Sequence, residues 1–96
     1  MRPLAVTCRP VDDGWSCEVT VGDDAGATRH EVAVNASDLD RLAPAASNPE
    51  ALVRAAFAFL LTREPRESIL RHFELMEIGR YFPGWEQEVD GRLADH

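Results

Sequence analysis

Lysine is absent. All ten basic residues of this 96-residue chain are Arg, set against seventeen Asp and Glu, for a formal charge of −7. An acidic chain without a basic stripe is poorly suited to following a phosphate backbone, so nucleic acid is not expected as a partner. Only Arg63, Arg66, Arg71 and Arg80 come near a cluster, and Glu64, Glu67, Glu74 and Glu77 alternate with them, the pattern of a solvated helical face. Cysteine is almost absent: Cys8 and Cys17 are too few for a disulfide scaffold. The longest apolar stretch, residues 55–61, is far short of the roughly 18–20 residues a membrane span requires, so no membrane partner is expected. Residues 1–4 run directly into a strand pattern and not into a secretory leader, which points to the cytoplasm.

Catalytic and metal signatures are missing as well. There is no Cys-x-x-Cys, His-x-x-x-His or His-Glu-x-x-His spacing among His30, His72, His96 and the two cysteines, so no metal site is expected. Ser16, Ser37, Ser47 and Ser68 lack a nucleophile elbow, and the six glycines are too scattered for a phosphate-binding loop. Paired carboxylates occur at Asp12-Asp13, Asp23-Asp24 and Asp38/Asp40. The first two pairs read as turn residues, whose side chains imitate a backbone turn. No catalytic, metal or cofactor residue is therefore assigned.

What is present is periodicity. Leu4, Val6 and Cys8 alternate with small or polar neighbours, as do Trp15, Cys17, Val19 and Val21, then His30, Val32 and Val34. Three period-two runs with one apolar face each predict an antiparallel β-meander over residues 1–34. A tight turn at Asp13-Gly14 sets Cys8 opposite Val19 and Val6 opposite Val21. A second turn centred on Ala25-Gly26 sets Val19 opposite Val32 and Cys17 opposite Val34. Cys8 and Cys17 then lie diagonally on the apolar face, where thiols behave as small hydrophobes.

Residues 35–48 read as a connector, with Ser37 capping a short turn through Leu39 and Leu42 that Pro44 ends. Asn48-Pro49-Glu50 is a strong helix start, followed by a helix from Pro49 to about Thr62. Leu52, Ala55, Ala56, Phe59 and Leu60 form one apolar stripe, and Val53, Phe57 and Leu61 a second. A helix apolar nearly all round must be wrapped by its own chain or must contact a second copy. Further helices are predicted over Arg66–Phe73, over Glu74–Tyr81, and from Trp85 through Val89 and Leu93, with a frayed tail at 94–96. The expected fold is one α+β domain, the three-stranded meander followed by a helical part at 49–93. Its three to four short helices pack on one face of the sheet.

The segment Arg63-Glu64-Pro65-Arg66-Glu67-Ser68-Ile69-Leu70 is followed by Tyr81-Phe82-Pro83 and preceded by Pro49-Glu50-Ala51-Leu52-Val53-Arg54. Residues 49–88 thereby resemble a group of small bacterial proteins common in actinobacteria. The Arg-only, thirteen-Ala composition also suits a GC-rich bacterial genome. The resemblance implies a shared fold and a bacterial cytoplasm, and it brings no activity or functional residue with it.

The expected function is that of a non-enzymatic protein–protein interaction module, homodimeric or bound to a protein partner, regulatory or antitoxin-like in role. Its candidate interface residues are Val53, Phe57, Leu61, Tyr81, Phe82 and Trp85. The alternative is a small-molecule-binding or catalytic domain with a site between sheet and helices, lined by Cys8, Trp15, Cys17 and His30. That site requires a cavity of at least ~300 Å³ on the meander's apolar face.

Overall fold

Alternation in the first third of the chain becomes three long strands, β1 (Leu4–Val11), β2 (Gly14–Val21) and β3 (Thr28–Asn35). The computed structural model describes residues 4–22, 25–43 and 49–94. Val6, Cys17, Val19, Val21, His30, Val32 and Val34 all face inward and are buried, while Ala5, Thr7, Arg9, Glu18, Arg29 and Glu31 face outward. The antiparallel meander is as expected, but its register is not. Val11 and Gly14 close a two-residue turn at Asp12-Asp13, so Cys8 lies opposite Cys17, and Val6 opposite Val19. In the second hairpin Val19 pairs with His30 and Cys17 with Val32.

Gly14 explains the first shift. It is not a left-handed turn residue; a Cβ there would clash with the Val34 carbonyl oxygen. The glycine admits the end of β3, and the turn moves one residue earlier. A two-residue slide keeps every side chain on its face, which is why alternation alone does not detect it. Cys8 and Cys17 become direct neighbours with Cα atoms 4.0 Å apart, joined as a disulfide. The expectation of diagonal free thiols is corrected accordingly.

That short Cα separation belongs to a non-hydrogen-bonded pair. The backbone groups of Leu4, Val6, Cys8 and Pro10 therefore point to the open edge of the sheet. Pro10 has no N–H to offer there, and Arg54 donates to the Leu4 carbonyl. Both ends of the edge strand are blunted, leaving a short window at Val6 and Cys8.

A fourth strand completes the sheet in the order β1-β2-β3-β4. β4 (His72–Glu74) lies parallel to β3, with Val32 beside Phe73. It replaces the helix expected over Arg66–Phe73. Residues 66–68 form one 3₁₀ turn and residues 75–77 another.

The helices are α1 (Ala36–Leu42), α2 (Glu50–Arg63), α3 (Ile78–Tyr81) and α4 (Trp85–Ala94). α1 falls within the expected connector, and its cap is Asn35, whose side chain accepts from the Ser37 N–H at 3.0 Å. The cap is two residues earlier than Ser37 because β3 runs into the helix without a loop. Arg41 anchors α1 to α4 through Glu86 at 2.8 Å, and that carboxylate raises the guanidinium pKa further. Pro44, Asn48, Asp23, Asp24, His96 and the side chain of Leu93 lie outside the described residues.

α2 is the central element. Leu52, Val53, Ala55, Ala56, Phe57, Phe59 and Leu60 are all buried. It packs along α4 and against β1, and Phe57 stands 5.3 Å from the His30 ring and 6.0 Å from Phe73. Of the two ways to cover an all-round apolar helix, the chain uses its own sheet and helices. The radius of gyration, 12.5 Å, is that of one packed unit of this length.

Candidate functional site

The segment between α2 and α4 folds as an irregular strap, and proline sets its start. Glu64 adopts an extended conformation because it precedes Pro65, and α2 ends there. After the 3₁₀ turn Ile69 goes inward, and Leu70, its neighbour in an extended backbone, must point outward. Leu70 is 49% exposed. Its carbonyl accepts from the buried His30 Nδ1–H at 2.8 Å. A carbonyl only accepts, so the proton sits on Nδ1, and in the neutral ring Nε2 takes the Thr28 hydroxyl at 2.9 Å. His30 is thereby a fully used structural residue that ties β3 to the strap.

Farther on, Phe73 and Ile78 go inward and Tyr81 stands 65% exposed. Phe82 returns to the body edge-on to Phe59, with ring centroids 5.8 Å apart. Gly84, at φ +87°, reverses the chain, and Trp85 inserts beside Gly79. A Cβ on Gly79 would lie 3.2 Å from the indole Nε1.

Between the C-terminal half of α2 and this strap lies an open groove of about 210 Å³. Its floor is Leu60, Ile69, Phe73 and Ile78, and its rim is Leu70, Tyr81 and Phe82. Glu64, Glu77 and Ser68 are the other polar residues lining it. No histidine lines the groove, and Ser68 makes no side-chain hydrogen bond to Glu64 or Glu77, so no nucleophile–base pair is assembled there. A smaller depression, about 150 Å³, is lined in part by Trp15, Asp13, Asp38 and Glu74. Both volumes fall below the roughly 300–1,000 Å³ of small-molecule sites.

The six candidate interface residues separate into two groups. Val53 and Phe57 are fully buried and Trp85 is 2% exposed, so they offer no surface to a partner in this conformation. Their apolar character is satisfied within the chain. Leu61 is half-buried against the core, whereas Tyr81 and Phe82 line the groove. Leu70, Ile78, Glu64 and Glu77, which also line that groove, were not among the six. The adjacent pair Ile69-Leu70, in a segment begun by proline, was the available sign that one large apolar side chain would face outward.

The alternative site between sheet and helices is filled by side chains. Cys17 is fully buried in a disulfide, His30 is packed on Phe57, and Trp15 is half-buried against the core. The Arg cluster also disperses. Arg63 lies 5.2 Å over the Phe59 ring, and Arg66 turns toward Glu67 and the Val21 carbonyl. Among the described residues no group of His, Cys, Asp or Glu could hold a metal ion, and no helix is long and apolar enough to cross a membrane. Comparison with protein-family models, curated proteins and solved structures returns no match.

Proposed function

We propose that this protein is a non-enzymatic protein-interaction module whose docking surface is the groove between α2 and the 64–82 strap. The single supporting observation is the pair of large apolar side chains held open at its rim. Leu70 and Tyr81 remain 49% and 65% exposed beside an otherwise buried apolar floor. Aromatic and aliphatic side chains fixed around a shallow depression are what partner anchors occupy. The groove, at about 210 Å³, is smaller than the roughly 300–1,000 Å³ of small-molecule sites.

A regulatory or antitoxin-like role is the use to which such a module would be put. The homodimer expected from the second stripe of α2 no longer has that stripe as its basis, since Val53 and Phe57 are buried within the chain. A cytoplasmic bacterial setting remains part of the proposal. The Cys8–Cys17 bond weighs against it, because cytosolic thiols are kept reduced, and thiol titration of protein taken from its host decides the point.

Displayed random peptides selected on the wild-type protein test the docking surface. Clones should lose binding to a Leu70→Ser/Tyr81→Ser variant that keeps its fold. Clones that bind both proteins equally would place docking elsewhere and overturn the proposal.

A further inference from the structure

The charge lining the groove is one-sided. Glu64 and Glu77 are its only charged residues. Both are half-buried, and neither carboxylate has an ion-pair partner among the described residues. The arginines nearest Glu64 in sequence are directed elsewhere. Arg63 is stacked on Phe59, and the Arg66 guanidinium, 3.2 Å from Glu67, is directed to its neighbour and to β2. The chain as a whole adds a formal −7, which repels an acidic partner and draws in a basic one.

From this charge pattern we infer that the occupant is a partner polypeptide carrying a large apolar side chain next to Arg or Lys. The apolar anchor enters between Ile69 and Ile78, and the cation lies at Glu64 and Glu77 within reach of the Tyr81 ring. A cation over an exposed aromatic face adds a modest attraction of its own. The exposed Leu70 and Tyr81 extend the apolar surface past the depression, which suits a continuous chain better than a compact ligand. The inference rests on the groove being the docking surface and adds the chemistry of what docks.

Two synthetic 12-residue peptides separate these claims. Both carry the same Leu and Phe anchors, one flanked by Arg and the other by Glu, and each is titrated calorimetrically into three proteins. The proteins are wild type, Glu64→Gln/Glu77→Gln and Leu70→Ser, each checked for fold by circular dichroism. On wild type the Arg peptide should bind about tenfold tighter than the Glu peptide, the sum expected of two partly screened ion pairs. The preference should shrink to about twofold or less in the Gln double variant and at high salt. Leu70→Ser should weaken the Arg peptide on wild-type carboxylates as well. Equal binding of both peptides to wild type, with loss on Leu70→Ser, overturns this inference and leaves the docking surface standing. Binding unaffected by Leu70→Ser contradicts both. A dimer of the chain that occupies the groove and is broken by Leu70→Ser also overturns the inference, in favour of a second copy.

Discussion

The two sides of α2 make opposite use of the same kind of residue. Toward the sheet, Phe57 packs on His30 and both rings are buried. Toward the strap, Leu60 forms the floor of a groove whose rim residues, Leu70 and Tyr81, stay in water. Both sides are apolar, so composition does not distinguish them. The distinction is in the backbone of the covering element. A β-sheet presents side chains at regular two-residue spacing and closes over the helix. A strap of 3₁₀ turns and a three-residue strand cannot, and it leaves large side chains outside. Closed apolar surface contributes stability, and open apolar surface is available to a partner.

The largest effect should come from breaking the closed side. Phe57→Ala removes a fully buried aromatic and should cost about 3–5 kcal/mol, seen as a lower urea midpoint at unchanged slope. A cost under about 1 kcal/mol would mean that α2 is not the centre of the core. Reducing the Cys8–Cys17 bond should lower stability by about 2–3 kcal/mol, the value for a short loop, when oxidised and reduced protein are unfolded in parallel. No change on reduction would place the cysteines apart, as free thiols.

His30→Leu tests how the two sides are joined. It should cost about 1–3 kcal/mol, because the Leu70 carbonyl loses its donor. It should also speed amide hydrogen exchange across residues 70–74 more than within β1. Uniform acceleration would show that His30 serves the core alone. The smallest change in stability belongs to the open side. Leu70→Ser/Tyr81→Ser should stay within about 0.5 kcal/mol of wild type while abolishing peptide binding. A substantial loss of stability there would make the rim part of the core.

How far the sequence carried these features follows from the range of each signal. Alternation over Leu4–Cys8, Trp15–Val21 and His30–Val34 identified the strands and their buried face. It left the register open to a two-residue slide, which only the close approach of Gly14 to Val34 resolves. The α2 start and length were legible from Pro49, Glu50 and the apolar run. Whether its second stripe was covered internally depended on β4 and α4. β4 is too short to display a period, and its partner lies some forty residues earlier, parallel, in β3. Tyr81 and Phe82 stood out as an aromatic cluster. Leu70 did not, because Arg66–Phe73 was expected as a helix and not as an extended segment that turns alternate side chains outward.

The groove contains a natural reporter, since Tyr81 is the chain's one tyrosine. Protein grown with 3-fluorotyrosine should give a single fluorine resonance from the groove rim. Titration with a selected peptide should shift or broaden that resonance in step with binding measured by calorimetry. A resonance that stays fixed while calorimetry reports saturation would contradict the claim that partners dock between α2 and the strap.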